Sequence, residues 1–246
     1  MTQKIIRKTA LITGASRGLG RVLADFLAKQ GYKLVITSRG EEALYATAEV
    51  LRRYTKVTAI PGDVTDSAHR QALVEATGEG LELLVNNASS LGTTPLPPLT
   101  TYDIDRLRDV FESNVFAPLA LAQAVLPTLK RQNGLVVNLS SDAAVGGYEG
   151  WGGYGSSKAA LDLISKTLAN ELESEGVGVV SVDPGDMRTR MHQDAFPGED
   201  ISERPLPEAT LPFWAWLLGQ KTLDISGRRF QAQADVWTVE AQEVAV

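Results

Sequence analysis

Residues 13–20 read TGASRGLG, and this stretch decides how the rest of the chain is interpreted. An apolar triplet at 10–12 precedes it, and apolar residues recur at helical spacing from Leu19 to Leu27 after it. A glycine-rich turn between a strand and a helix lets the backbone approach a pyrophosphate, which then lies at the positive end of the helix. The pattern therefore predicts a nucleotide-binding turn formed by Gly14, Ser16, Arg17, Gly18, Leu19 and Gly20.

Further apolar runs alternate with helical patterns along the chain. Six buried strands are predicted, at 10–12, 34–36, 57–60, 83–85, 135–137 and 177–182, and a last strand is expected within 226–230. Their residues are apolar in succession, as in a parallel sheet covered by helices on both faces. The pattern predicts one α/β domain with a doubly wound, Rossmann-type sheet, whose ligands bind beyond the carboxyl ends of the strands.

Composition narrows the function further. The 24 Lys and Arg against 30 Asp and Glu give a net charge of -6, which argues against a nucleic-acid partner or a polybasic membrane contact. There is no cysteine, and the two histidines are far apart, so no metal site is expected. The N-terminus lacks the apolar core of a signal peptide, and the apolar stretch Leu211 to Leu218 is too short to span a bilayer. We expect a cytoplasmic protein.

The end of the second predicted strand carries the coenzyme prediction. It reads Thr37-Ser38-Arg39, whereas an NAD site would place an acidic residue there to hold the ribose 2′-hydroxyl. Arg39 and Arg17 are predicted to clamp a 2′-phosphate, with a hydrogen bond from Ser38, which favours NADP(H). Two solvated surface arginines are the alternative, and the nearby Glu41 weakens the prediction.

A tyrosine and a lysine follow the fifth predicted strand. Ser141 is thirteen residues before Tyr154, and Lys158 comes one helical turn after that tyrosine, on the same helix face. Alcohol oxidation needs a base for the hydroxyl proton, and carbonyl reduction needs the corresponding acid. Lowering a tyrosine pKa from about 10 to about 7 takes roughly 4 kcal/mol. We therefore expect Lys158 to act on Tyr154 in a partly desolvated site, helped by an oxidised nicotinamide.

Together the turn TGxxxGxG, the serine and the YxxxK pair resemble the short-chain dehydrogenase/reductase family over residues 8–189. The resemblance implies a carbonyl or alcohol substrate, a homo-oligomer (dimer or tetramer), and Asn114 as a fourth catalytic residue beside Ser141, Tyr154 and Lys158. It also implies coenzyme contacts from Asp63, Val64, Asn87, Ala88, Ser89, Tyr154, Lys158, Pro184, Gly185 and Thr189. Ser89 stands where the family usually has glycine.

Several assignments have alternatives. Ser140 competes with Ser141, and Asp63 is equally suited to capping the next helix. Residues 187–220 are predicted to form a substrate lid. Within that segment Arg188, Arg190 or His192 either meet an anionic substrate or form a solvated face. The aromatic residues 213, 214 and 216 line the substrate mouth, form a subunit contact or, as we slightly favour, pack in the core.

Two other functions compete with the oxidoreductase. Residues 14–18 match the GxSxG elbow of serine hydrolases, with His192 nominally available. However, no earlier strand exists to supply an oxyanion loop. A catalytically silent NADP(H)-binding regulator or scaffold is the other alternative, and the complete set of Asn114, Ser141, Tyr154 and Lys158 argues against it.

Overall fold

The computed structural model describes residues 8–239. Seven parallel strands form one sheet in the order β3-β2-β1-β4-β5-β6-β7. Their bounds are β1 Thr9–Thr13, β2 Lys33–Ser38, β3 Val57–Pro61, β4 Leu83–Asn86, β5 Leu135–Leu139, β6 Gly178–Asp183 and β7 Arg229–Gln231. The doubly wound sheet and its six main strands are confirmed, and the last strand begins three residues later than the earliest predicted position.

Helices cover both faces of this sheet. They are α1 Gly18–Lys29, α2 Glu41–Leu51, α3 Ser67–Thr77, α4 Ile104–Phe111, α5 Ala117–Gln132, α6 Gly152–Leu172, α7 Arg190–Ala195, α8 Leu211–Leu217 and α9 Thr222–Ile225. Successive β1 residues face different layers, since Ile12 packs against α1 and Leu11 against α5 and α6. Burial on both faces explains why the strands are continuously apolar.

Helices α4 and α5 are joined without a break by a π-helical turn, Glu112–Phe116, so that helix extends from Ile104 to Gln132. Its length and composition would also suit a membrane-spanning helix, a criterion that buried helices of soluble proteins share. Leu121, Val125 and Leu129 are all buried within the core layer. The longest uninterrupted apolar stretch of the sequence is 211–218. Polar residues separate the apolar ones in this longer helix, so it does not stand out as an apolar run.

The segment after β6 is more regular than its prolines suggest. It contains α7, a 3₁₀ turn at Pro207–Thr210 and α8. Phe213 and Trp214 are 0% and 2% exposed, and the Phe213 ring lies 5.3 Å from Trp214 and 5.8 Å from Phe230, centroid to centroid. These aromatic residues pack in the core and line neither cavity described below. A lid role for residues 187–220 stays a prediction.

Candidate active site

A cleft of about 1210 Å³ opens at the carboxyl ends of the strands. The chain order reverses between β1 and β4, and open α/β sheets bind their ligands at such a switch point. Most of the predicted coenzyme residues line this cleft: Gly14, Ser16, Arg17, Gly18, Leu19, Ser38, Arg39, Asp63, Val64, Asn87, Ala88, Ser89, Tyr154, Lys158, Pro184 and Thr189. Sixteen separate sequence positions thus converge on one cavity.

The glycine-rich turn has a geometry that only glycine satisfies easily. Gly14 and Gly18 have φ of 68° and 53°, and a Cβ on Gly14 would lie 2.8 Å from Asn87 Nδ2. Arg17 precedes α1 without a side-chain cap, so the first turn of that helix has amide groups to offer an anion at the cleft. Gly20 does not line the cleft; a Cβ there would clash with the Gly14 carbonyl, so its role is packing.

Asn87 fixes the position of that turn. Its Nδ2 donates to the carbonyls of Thr13, at 2.9 Å, and Gly14, at 3.2 Å. In return, Thr13 Oγ1 accepts from the backbone N–H groups of Asn87 and Ala88 at 3.0 and 2.9 Å. The Asn87 amide is therefore used to tie the ends of β1 and β4 together, although the residue also borders the cleft.

Two arginines form the cationic end of the cleft. Arg17 and Arg39 are both exposed, and Arg39 Nη1 lies 3.8 Å from Asp63 Oδ2. Ser38 is half-buried beside them, whereas Glu41 begins α2 and does not line the cavity. Glu41, the acidic residue that weakened the NADP(H) prediction, therefore does not border this cavity.

Asp63 is not the cap of α3. Its Oδ1 accepts from the N–H and the hydroxyl of Thr65 at 3.0 and 2.9 Å, while Asp66 caps the helix by accepting from Ala68 N. The helix-cap alternative is wrong, because α3 begins at Ser67 and its N-cap is Asp66, three residues after Asp63. The carboxylate of Asp63 instead borders the cleft.

Tyr154 and Lys158 lie on α6 at the inner end of the cleft. They are 8% and 2% exposed, and Lys158 Nζ lies 5.5 Å from the centroid of the Tyr154 ring. The ammonium group donates to the Leu139 carbonyl at 2.7 Å. Burial lowers the pKa of Lys158 to about 8, although the carboxylate of Asp162 acts in the opposite direction. The expected desolvated lysine is therefore present.

The pKa of Tyr154 departs from the expectation. Burial raises it above that of free tyrosine, and the charges of Asp183 and Asp142 raise it further. Hydrogen bonding with Ser89 and Ser141 lowers it without offsetting the desolvation. The protein's own groups therefore do not lower this pKa, because burial disfavours a phenolate. An acidic Tyr154 depends on the positive charge of oxidised nicotinamide and stays a prediction.

A second cavity, of about 390 Å³, adjoins the cleft at Tyr154, and we call it the inner chamber. Ser141 lines it, and its Oγ donates to Asp142 Oδ1 at 3.0 Å. Ser140 Oγ, by contrast, donates to Asp162 Oδ2 at 2.7 Å. Both hydroxyls are thus hydrogen-bonded within the protein, and Ser140 lines both cavities whereas Ser141 lines only the inner chamber, so the choice between them stays a prediction.

The predicted residues after β6 divide between the two cavities. Gly185 and His192 line the inner chamber, whereas Arg188 and Arg190 line the coenzyme cleft. His192 is buried, which lowers its pKa despite the nearby Asp186. The two arginines therefore do not line the inner chamber, and contact of Arg188, Arg190 or His192 with an anionic substrate stays a prediction. Ser16 and His192 line different cavities, which removes the basis for a serine hydrolase.

Comparison with known proteins agrees with this geometry. The sequence profile of the short chain dehydrogenases matches residues 8–200. The chain belongs to the short-chain dehydrogenase/reductase family. It is 38% identical to the serine 3-dehydrogenase of Agrobacterium fabrum over 72% of this chain and 71% of that protein. It is 34% identical to the 3-oxoacyl-acyl-carrier-protein reductase of rhamnolipid biosynthesis in Pseudomonas aeruginosa, over 85% and 83%.

Solved structures show the same fold. An oxidoreductase from E. coli superimposes with a TM-score of 0.85 at 31% identity, covering 92% of this chain and 95% of that one. A short chain dehydrogenase from Shigella flexneri, described as complexed with NADP, also gives 0.85 at 31% identity, covering 92% and 97%.

In this short-chain dehydrogenase, Asn114 supports the wall of the cleft. It is 0% exposed in the π-helical turn, and its Oδ1 accepts from Ser89 Oγ at 3.0 Å and Ser90 N at 2.8 Å. Its Nδ2 donates to Ser90 O at 2.8 Å and Ser157 Oγ at 3.0 Å. Every polar atom of this amide is thus engaged by the serines. The amide holds the loop that presents Ser89 to Tyr154.

Arg229 is a site residue that sequence reasoning missed. From β7 it reaches Asp162 Oδ2 at 3.0 Å, Asp183 Oδ2 at 3.1 Å and the carbonyl of Ser141 at 2.7 Å. The Arg229 guanidinium thus links α6, the end of β6 and the segment after β5 behind the inner chamber. No local motif marks it, and only the pairing of β6 with β7 brings it there.

The cavities suit a nicotinamide dinucleotide. The cleft has an uncapped helix N-terminus and turn glycines at one end and arginines beside it, and it meets a second chamber at Tyr154. Within residues 8–239, no group of three His, Asp or Glu side chains could hold a metal ion.

Proposed function

We propose that this chain is an NADP(H)-dependent oxidoreductase that interconverts a carbonyl and an alcohol, with Tyr154 as general acid/base. The position of Tyr154 carries the proposal: it is the titratable side chain at the junction of a dinucleotide-sized cleft and a smaller chamber that also contains the Ser141 hydroxyl. A group bound in the chamber can meet the nicotinamide end of the cleft at this junction.

When bound, the coenzyme supplies or accepts the hydride at the substrate carbon. In reduction, Tyr154 donates its phenolic proton to the carbonyl oxygen as the C–H bond forms, and Ser141 donates a hydrogen bond to the same oxygen. In oxidation, the phenolate takes the hydroxyl proton instead. Lys158, held by its hydrogen bond to Leu139, places a titratable amine beside the tyrosine ring.

The raised pKa of Tyr154 bears on whether the protein is prepared to reduce a carbonyl or to oxidise an alcohol. Because burial raises it, the hydroxyl is protonated at neutral pH and ready to act as the acid of carbonyl reduction. Oxidation requires a phenolate, which is stabilised by the positive charge of oxidised nicotinamide. Without the coenzyme, the groups of the protein thus keep Tyr154 in the protonated form that carbonyl reduction uses.

Support for NADP(H) comes from charge and from neighbours. Arg17 and Arg39 border the cleft beside Ser38, and structural neighbours from Shigella flexneri and Escherichia coli are described as complexes with NADP and NADPH. If NADH gives a higher kcat/KM than NADPH, the roles of the two arginines are wrong. Homo-oligomerisation, which light scattering tests, and a cytoplasmic location stay predictions.

Replacing Tyr154 with Phe tests the chemistry. We expect Tyr154→Phe to abolish turnover in a panel of carbonyl compounds while NADPH binding persists, because the cleft loses one hydroxyl and no charge. Tyr148→Phe is the matched control: Tyr148 is a half-exposed tyrosine of the inner chamber, and its loss should leave turnover measurable. Undiminished turnover in Tyr154→Phe contradicts the mechanism.

The main competing function is a coenzyme-binding regulator without chemistry. Two of the chain's relatives are named as enzymes, a serine 3-dehydrogenase and a 3-oxoacyl-acyl-carrier-protein reductase, which supports an enzyme. Persistent NADPH binding by the unaltered protein, with no NADPH oxidation by any carbonyl in the panel, is the result that favours the regulator.

A further inference from the structure

The inner chamber has an unbalanced charge. Four carboxylates line it, on Asp142, Glu149, Asp183 and Asp186, and no lysine or arginine from residues 8–239 does so. Two of the four have cationic partners: Arg229 Nη2 lies 3.1 Å from Asp183 Oδ2, and Arg204 Nη1 lies 3.4 Å from Asp186 Oδ2. The chamber therefore retains an acidic excess from the other two.

The other two carboxylates, on Asp142 and Glu149, line the chamber and are exposed. Asp142 accepts hydrogen bonds from the Ser141 hydroxyl and Ala143 N–H, which are neutral donors. Glu149 is exposed at the rim, and no cation of the described chain is within ion-pair distance of it. In a cavity with low-dielectric walls, this arrangement concentrates a negative potential inside.

The walls of the chamber are aromatic. The Trp151 ring lies 5.8 Å from Tyr154 and 5.7 Å from Phe196, centroid to centroid, and all three line the cavity. Aromatic faces attract a cation through the ring quadrupole, more strongly where water is excluded. Such walls accept apolar groups and ammonium groups alike, but they offer nothing to a carboxylate.

His192 adds a neutral acceptor. Its side chain is 9% exposed and lines the chamber, and its buried Nε2 has no hydrogen-bond partner among the described residues. Nδ1 faces Asp186, 3.7 Å from Oδ1, so a neutral ring protonated at Nδ1 has a free lone pair at Nε2. Because Nε2 is covered by protein atoms, a ligand meets a neutral ring and no cation that would repel an ammonium group.

We infer that the substrate carries a cationic, ammonium-type group beside its carbonyl or carbinol, and that the inner chamber rejects carboxylate and phosphate substrates. The inference rests on the proposed function, because it takes this chamber as the substrate site. The attraction comes from Asp142 and Glu149, and the contact surface comes from Trp151 and Phe196, with His192 as a neutral neighbour.

The test uses three probes of matched size: 1-phenylethanol with a para-aminomethyl, para-hydroxymethyl or para-carboxylate group. Their dissociation constants are measured by calorimetry on the full-length protein with oxidised coenzyme, and their oxidation rates are followed by NADPH absorbance. We expect the cation to bind about tenfold more tightly than the anion, with the neutral probe between them. The preference should shrink as salt screens the exposed carboxylate.

Glu149→Gln identifies the source of the preference. Removing this charge should reduce the cation-to-anion ratio about threefold while leaving the neutral probe unchanged. Glu171→Gln, an exposed glutamate near the end of α6, is the matched control and should leave the ratio unaltered. Anion binding equal to or tighter than cation binding overturns the inference, as does a ratio indifferent to Glu149→Gln.

The proposed oxidoreductase function and the proposed charge preference can be refuted independently of each other. Oxidation of the neutral probe without any preference between the charged probes overturns the charge inference and leaves the oxidoreductase intact. Binding in the order cation, neutral, anion without oxidation of any probe supports the charge of the chamber and counts against the chemistry.

Discussion

Replacing Arg229 with Met removes the one cation that joins Asp162 and Asp183 behind the inner chamber. The Asp183 side chain is 5% exposed and the Arg229 side chain 25%, so the substitution leaves a nearly buried carboxylate without its partner. Breaking a buried pair in this way costs about 3–5 kcal/mol, and the partial exposure of Arg229 reduces that to about 2–4 kcal/mol. For a chain of this size the melting temperature should fall by roughly 5–15 °C.

The pH dependence of this loss has a definite sign. Burial raises the pKa of Asp183 and Arg229 opposes that rise, so the folded state already binds its proton more tightly than the unfolded chain does. A raised carboxylate pKa costs stability as pH increases through the folded pKa, and Arg229→Met raises that pKa further. The deficit relative to the unaltered protein should therefore be largest at pH 7 to 8 and shrink towards pH 5.

Thermal unfolding followed by circular dichroism measures both effects. Arg229→Met/Asp183→Asn should recover at least half of the lost stability, because it removes the unpaired charge. Arg52→Met, which breaks an exposed pair with Glu49, is the control and should change stability by less than about 0.5 kcal/mol. The reasoning is refuted if Arg229→Met melts within about 2 °C of the unaltered protein at pH 7.5.

Four further substitutions, at three positions, test the coenzyme cleft. Ser89→Ala and Ser89→Gly both remove the hydroxyl bonded to Asn114 and should lower kcat several-fold with little change in coenzyme KM; activity retained by Ser89→Gly alone would show that the backbone is what matters. Lys158→Met should be inactive yet more stable by about 2 kcal/mol in denaturant titrations below pH 8, since a pKa lowered to about 8 costs roughly 3 kcal/mol and the lost hydrogen bond to Leu139 about 1 kcal/mol. That gain should vanish by pH 10.5, the ordinary lysine value, where the folded-state lysine is neutral and the unfolded-state lysine is only half protonated. Arg39→Asp should shift the kcat/KM ratio from NADPH towards NADH by at least about tenfold, and an unchanged ratio would remove Arg39 from phosphate binding.

Short sequence motifs predicted the parts of this site whose position and conformation are set by neighbouring residues. The turn from Gly14 to Gly18 follows a strand and begins a helix, and both its position and its conformation are determined by adjacent residues. Tyr154 and Lys158 share a helix face for the same reason. The spacing from Ser141 was also informative, because both Ser141 and Tyr154 lie close to a strand end.

What could not be predicted depends on distant parts of the chain. Arg229 reaches Asp162, 67 residues earlier, only because β7 pairs with β6. The amide of Asn87 supports the turn at Gly14, 73 residues away, although the local motif indicates only a coenzyme contact. Such roles follow from strand order, which no short pattern specifies.

Burial explains why the acid/base pair differs from the sequence expectation. A lysine placed beside a tyrosine in water would favour the phenolate, but here both side chains are desolvated, and desolvation favours the neutral form of each. Lys158 directs its Nζ to the Leu139 carbonyl, and the tyrosine keeps its proton. Tyr154 is therefore arranged as a neutral acid for a carbonyl, beside a lysine whose pKa of about 8 leaves it largely protonated at neutral pH. A positive charge arriving at the junction of the two cavities is what turns the same tyrosine into a base, so the proton chemistry of Tyr154 depends on the redox state of the coenzyme beside it.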